Sequence, residues 1–359
     1  MTESDYITKV EVAGVGETLQ RMVVPRQQSQ MRATMTVRRH GIASKFNPIR
    51  SIRPVSGRKL PFRSRLPRPS LVGRRVPHKI YGRIGNLEVR LARSKGDLKR
   101  AQRLRYHVFY EEMSAIADPL AMMSRRDEDE FDAVCDHLLV VDVGEQEKGR
   151  RPWRRRPRVV GTYRVLRQDV AELHDGFYTQ GEYNIAPLLE ALGDSKRFME
   201  LGRSCVLKSY RNRRTLELLW QGIWNYAHEH RVDVLLGCAS FEGTDPRRHA
   251  EGLSYLYHHA LAPKRWRVRA HDDIHVEMNM MPAFEIDNRT SIKALPPLIK
   301  GYLRAGAYVG DGAVIDHQFG TTDVFIILPF EALTARYCAH FGSGDEYGQT
   351  TPPLVPQLN

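Results

Sequence analysis

"FMELGRSCVL", residues 198–207, decides the fold. Phe198, Leu201, Cys205, Val206 and Leu207 suit a buried strand. Glu200 and Arg203 do not, because a charge taken out of water without a partner is costly. Residues three apart in a regular strand point to opposite faces. Gly202 between them permits a bulge, which would re-register the strand and turn both charges toward one cleft. The alternative is a scaffold salt bridge between Glu200 and Arg203.

Working outward, strand and helix patterns alternate. "LEVRLA" (87–92), "HLLVVDV" (137–143) and "RVVGTYRVL" (158–166) read as strands, the last two joined by the arginine-rich loop "GEQEKGRRPWRRRPR". "DLKRAQRLRYHVFYEEM" (97–113) is helical, with Leu98, Ala101, Leu104 and Val108 on one face. Beyond the opening strand, Leu216, Leu219, Ile223 and Tyr226 share a helical face. "VDVLLGCASF" (232–241) is a continuous apolar run, as in a sheet interior. Helices through 248–261 and near 294–305, and strands near 313–315 and 322–329, complete the pattern. This order implies an α/β domain: a mixed central sheet flanked by helices.

The chain has 359 residues, 42% of them hydrophobic, and a net charge of +13. Residues 1–85 hold 18 Lys/Arg against 4 Asp/Glu, so the remainder sums to about −1 (13 − 14). The expected organisation is a basic, disordered extension over 1–85, a folded domain over 86–342 and a flexible tail over 343–359. A basic tail suits an anionic membrane surface. Nucleic acid is not expected as a partner, since the folded part is near neutral. Four cysteines without CxxC spacing argue against zinc or a disulfide framework and fit a reducing cytoplasm. No metal site is expected. The first 30 residues lack the apolar core of a signal peptide, and runs such as "VFIIL" are too short to span a bilayer.

His137 and Asp142 in "HLLVVD", with "FEGTDPR" (241–247), imitate the two blocks of glycerolipid O-acyltransferases. His137 and Asp142 sit five apart in a strand, hence on opposite faces. "FEGTDP" lacks the proline before Glu242 and the arginine after Thr244, and reads as a turn before a helix. Cys205 reads as a small core residue.

"LRYHVFYEEM" (104–113), "DEDEFDAVCDHLLV" (127–140), "VVGTYRVL" (159–166) and "ELGRSCV" (200–206) resemble the acyl-homoserine-lactone (autoinducer) synthases, within the GNAT acyltransferase superfamily. The tryptophan those synthases carry after the VF motif is absent here. "LELLWQGIWNYA", "LLGCASFEGTDP", "LPPLIKGYLRAGAYVGDGAVID" and "TTDVFIILP" resemble the ornithine N-acyltransferases. That likeness runs over about residues 86–342.

The resemblance implies a GNAT-like fold with a splayed fourth strand. It implies transfer of a 3-hydroxyacyl chain from acyl carrier protein, through its phosphopantetheine arm, to the α-amine of ornithine, the first step of ornithine lipid synthesis. No further cofactor is implied. The expected catalytic residues are Glu200, as the base that takes the ammonium proton, and Arg203. Arg105, Phe109, Asp129, Asp132 and Arg164 fall on substrate-binding positions. "YRNRRT" replaces the glycines of the usual pyrophosphate loop, so Arg211, Arg213 and Arg214 are expected to dock the acidic carrier. The expected location is the cytoplasm, on the inner face of the bacterial inner membrane. The competing readings are an autoinducer synthase and a glycerolipid O-acyltransferase.

Overall fold

The structure, a computed structural model, describes residues 79–113, 115–147 and 156–333. The expected disordered extension, apart from residues 79–85, the tip of the arginine-rich loop and the C-terminal tail lie outside the described residues. In chain order the elements are β1 (Ile80–Ile84), β2 (Leu87–Leu91), α1 (Lys95–Tyr106), α2 (Pro119–Ser124), β3 (Asp136–Glu147), β4 (Arg156–Arg167), α3 (Gln168–Ala171), β5 (Tyr183–Asn184), α4 (Ala186–Leu192), β6 (Phe198–Val206), α5 (Arg213–Glu229), β7 (Val234–Glu242), α6 (Ala250–Ala260), β8 (Arg269–Ala270), α7 (Asn288–Ala294), α8 (Pro297–Ala305), β9 (Tyr308–Asp316) and β10 (Thr321–Pro329).

The strands form one mixed sheet in the order β1-β2-β3-β4-β6-β7-β10-β9-β8-β5. β1 to β4 and then β6 pair antiparallel in succession. β6 and β7 run parallel, and they pair only from Phe198↔Val234 to Glu200↔Leu236. The last close approach is at Gly237, with φ 150°: a β-carbon there would lie 2.3 Å from the Leu201 carbonyl oxygen. Past this point no pairing joins the two strands, and a cleft opens in the sheet between them. β7 otherwise pairs along its whole length with β10, from Val234↔Pro329 to Glu242↔Thr321, so only its β6 side is left open.

Register assigns the faces. Arg164 pairs with Gly202, Leu166 with Glu200 and Glu200 with Leu236. Cys238, Ser240 and Asp323 continue that face, with Ser240 opposite Asp323. α1 packs on β4 and β6, over the Arg164 face, while α5 packs on β1, β2 and β3 from the other side. There Leu218, Leu219, Ile223, Tyr226 and Ala227 are buried. Leu216, expected on that face, is exposed instead; Thr215 and Leu218 turn inward in its place.

Local chemistry sets the helix ends. Ser94 caps α1 by accepting from Asp97 N at 3.0 Å. After Tyr106 the helix widens into a π turn over His107–Glu112, a feature often found at functional sites. Asn212 caps α5 through Thr215 N at 3.2 Å. The sheet starts at Ile80, ahead of the boundary expected at 86. "IYGRI" alternates too weakly to be seen alone, but its pairing with β2 fixes it. Among the described residues no helix is long and apolar enough to cross a membrane.

Candidate active site

The bulge in β6 exists, and it is centred one residue later than expected. Opposite β4 the register moves from Arg164↔Gly202 to Thr162↔Cys205, so β6 carries one extra residue there. The left-handed conformation belongs to Arg203, with φ 48°. A non-glycine residue in that region costs about 1–3 kcal/mol and persists only where its surroundings over-determine it. They do here. The Arg203 guanidinium lies over the rings of Tyr178 (4.9 Å) and Phe319 (4.6 Å). It also stands 3.1 Å from Asp129 and 3.4 Å from Asp127. Phe109 meets Phe319 edge-on, ring centroids 5.5 Å apart, and so backs the same platform.

Arg203 is one member of a six-residue network of three arginines and three aspartates. Arg105 has no exposed surface. It donates to both oxygens of Asp132 (2.7 and 2.6 Å) and to the Asp127 carbonyl, and its Nε lies 2.7 Å from Asp127 Oδ2. Gln102 adds a third donor to Asp132 at 3.0 Å. Arg164 bridges Asp129 and Asp132 and lies over the rings of Phe131 and Tyr178. Burial pushes the Asp132 carboxyl up, but the Arg105 hydrogen bonds and charge hold it well below the usual carboxylate range. Asp129 occupies an N-cap position yet caps nothing; its carboxylate is spent on Arg164 and Arg203. The resemblance implied substrate contact for Arg105 and Asp132. Here both are buried and paired with each other.

Glu200 and Arg203 do not pair, so the scaffold salt bridge is not formed. Glu200 instead accepts from Tyr178 N (2.8 Å), Thr179 N (2.7 Å) and the Thr179 hydroxyl. Among the described residues Oε2 accepts from Tyr178 N alone. Burial raises its pKa; the Thr179 and Tyr178 donors and the Arg164 charge offset part of the rise. Glu200 thereby anchors the turn that carries Tyr178 to the rim of the cleft.

Across the cleft lies a second group of carboxylates. Oxygens of Glu182, Asp316 and Asp323 lie within 4.8 Å of one another. Among the described residues no Lys, Arg or His forms an ion pair with any of the three. Cys238 donates its thiol proton to Glu182 Oε2 at 3.1 Å. Burial, then the Asp323 charge, push Glu182 up to about 7. Burial also pushes Asp323 up to about 6, against the hydroxyls of Thr321 and Ser240. The turn between β9 and β10 joins the two groups: Asp316 Oδ1 accepts from Phe319 N at 2.8 Å, and Phe319 covers Arg203.

A pocket of about 460 Å³ lies just beyond the end of β6, lined by His107, Glu112, Arg158, Leu207, Lys208 and Ser209. Of the expected docking arginines, Arg211 pairs with Glu112 and donates to the Val206 carbonyl at 2.9 Å, and Arg213 pairs with Glu217 at 2.7 Å. Arg214 is exposed. His137 and Asp142 do not meet. His137 Nε2 lies 3.2 Å from the Asp132 carbonyl, while Asp142 accepts from Gly144 N and the Tyr210 hydroxyl. Cys205 is buried in the core, and its burial raises the thiol's pKa.

Residues 104–221 match the Acetyltransferase (GNAT) domain family. An L-ornithine N(α)-acyltransferase of Rhizobium meliloti is 49% identical over 278 residues, 77% of this chain and 90% of its own length. The enzyme of the same name from Agrobacterium fabrum is 48% identical over 270 residues, 74% of this chain and 89% of its own. The chain belongs to the L-ornithine N(α)-acyltransferase family. It is an N-acyltransferase with a GNAT fold. Among solved structures, FeeM, an N-acyl amino acid synthase from uncultured soil microbes, aligns with a TM-score of 0.39 at 10% identity, over 69% of this chain and 93% of its own.

Four charged groups of the site escaped the sequence reading. Asp127 opens the stretch "DEDEFDAVCDHLLV" and looked like one more acid in "DEDE". Asp323 carried the same signal as Glu200, a lone carboxylate in the wholly buried strand "TTDVFIILP". Glu182 and Asp316 sit at irregular or terminal positions, where no periodicity marks them.

Proposed function

We propose that the protein transfers a 3-hydroxyacyl chain from acyl carrier protein to the α-nitrogen of ornithine, yielding lyso-ornithine lipid. The observation that carries this reading is the 48–49% identity to L-ornithine N(α)-acyltransferases over about nine-tenths of their length. The geometry is compatible with direct transfer. The acceptor arrives as an ammonium and loses a proton to Glu200 through a water at Oε2. The neutral amine attacks the thioester carbon where β6 parts from β7. Backbone N–H groups of the bulge stabilise the oxyanion. The C–N bond forms, the C–S bond breaks, and the departing phosphopantetheine thiolate takes up the second proton that the nitrogen loses on becoming an amide. No acyl-enzyme is required, and the thiols of Cys205 and Cys238 take no part.

The carrier's arm enters by the pocket at the end of β6, where Lys208 and Arg158 suit its phosphate. Arg214, with Arg211 and Arg213 beside it, faces the acidic carrier. The reaction takes place in the cytoplasm, and the basic extension holds the protein to the anionic inner face of the membrane. Purified protein given 3-hydroxyacyl carrier protein and ornithine should form the amide, detected by mass spectrometry. A lactone formed from S-adenosylmethionine, with no ornithine product, would contradict the reading.

A further inference from the structure

The Glu182–Asp316–Asp323 group has no role in the chemistry derived above, yet it stands at the cleft. Its members come from three separate places: the end of the 178–181 turn, the end of β9 and the start of β10. Bringing three ionised carboxylates within 4.8 Å is unfavourable unless a cation joins them or one takes up a proton. Asp323 points to an absent ligand. It is 7% exposed, and its buried Oδ1 makes no hydrogen bond of normal geometry. A buried acceptor left unmade is expensive, and the carboxyl that carries it has an oxygen within 4.8 Å of those of Glu182 and Asp316. Asp316 is half used, its Oδ1 taking two backbone N–H groups of the following turn.

Resting on ornithine as the acceptor, we propose that Glu182, Asp316 and Asp323 form the subsite for its side-chain ammonium, keeping that nitrogen protonated and leaving the α-nitrogen to be acylated. An alkylammonium presents three N–H donors, and three carboxylates face it. The electrostatic logic separates the two nitrogens. A group of anions stabilises the cation, which disarms a nucleophile. The reacting amine must be neutral, so this is the wrong place for it and the right place for the nitrogen that must not react. The groups facing the subsite are Arg203 on β6, Tyr178 on the turn, Cys238 on β7 and the hydroxyls of Ser240 and Thr321. Of these only Arg203 carries a charge, and it is already held by Asp127 and Asp129. Burial pushes Glu182 up to about 7 and Asp323 up to about 6. Acceptor binding at pH 6 should therefore expel protons, and the acceptor KM should fall as pH rises toward 8.

The test compares ornithine with norvaline, which has the same carbon chain without the terminal ammonium. kcat/KM for both is measured with 3-hydroxyacyl carrier protein, using the full chain and its Asp323→Asn and Glu182→Gln variants. Wild type should favour ornithine, and each variant should lower the ornithine-to-norvaline ratio by about 10²-fold, mainly through KM, as expected when one side of a buried charge pair is neutralised. If Asp323→Asn fails to fold, Glu182→Gln, outside the main strands, carries the test. An unchanged ratio, or equal loss on both substrates, overturns the subsite and leaves the proposed reaction standing. Wild-type protein that acylates neither amino acid overturns the reaction itself, and the subsite with it. Micromolar binding of Mg²⁺, Ca²⁺ or Zn²⁺ in calorimetry, abolished by Asp323→Asn, would make this a metal site and overturn the proposal.

Discussion

Two groups of charges share one face of the sheet and differ in how they are compensated. Arg105, Arg164 and Arg203 face Asp127, Asp129 and Asp132, so the sum is zero and nearly every oxygen has a donor. Glu182, Asp316 and Asp323 face one another with no ion-pair partner among the described residues. The first arrangement is closed. It holds the bulge residue Arg203 against the Tyr178 and Phe319 rings. The second is open and carries a standing repulsion that a cation relieves. Their titrations differ accordingly: Asp132 is held down while Glu182 and Asp323 are held up. Charged residues in a strand thus mark a site, but only their compensation tells scaffold from binding surface.

The largest expected effect comes from opening the closed group. Asp132→Ala takes the two-pronged partner from buried Arg105 and leaves it Asp127 alone, which should cost about 3–5 kcal/mol of stability in urea unfolding. The sign with pH follows from the depressed pKa of Asp132. Its contribution is complete above the unfolded value near 4 and is lost as pH falls through the lower folded value. A variant as stable as wild type would show that the network is ornamental.

Next comes the base. Glu200→Gln keeps size but accepts no proton, so turnover should drop by about 10²–10⁴, with partial recovery as pH approaches the amine's own pKa. A Glu200 that only anchors residues 178–179 predicts a lower melting temperature and no rescue by pH.

The open group should behave oppositely to Asp132. A carboxyl whose folded pKa is raised loses stability as pH rises from its unfolded value through its folded one. Asp323 therefore burdens the ligand-free fold between about pH 4 and 6 and above. Asp323→Asn should raise stability by about 1–3 kcal/mol at pH 8 and leave it unchanged at pH 4. Melting curves at the two pH values decide. Destabilisation at pH 8 would mean that Asp323 is compensated after all.

The smallest effect belongs to the exposed docking face. Arg214→Glu should raise KM for the acyl carrier about 3–10-fold at low salt and very little at high salt, as for a rim charge. An effect independent of salt would remove Arg214 from the docking surface.

The sheet, its flanking helices and the bulge were legible because β6 breaks strand chemistry in one place and because apolar runs and helical faces are periodic. The bulge centre was not: Gly202 is the permissive residue, yet Arg203 takes the left-handed conformation because the aspartates and two rings hold its side chain. Leu216 was misplaced because a single helical face has a ±1 residue ambiguity that only packing on the sheet resolves. Pairing between distant segments was not legible either. Nothing local says that Asp127 meets Arg105, or that Glu182 and Asp323, 141 positions apart in the chain (323 − 182), meet.

The most direct measurement uses ornithine carrying ¹⁵N only at the α-position, turned over by wild-type protein with 3-hydroxyacyl carrier protein. Tandem mass spectrometry of the product should place the label in the amide, with the unlabelled nitrogen remaining a free amine. Label in the free amine, with acylation at the side-chain nitrogen, would contradict the account.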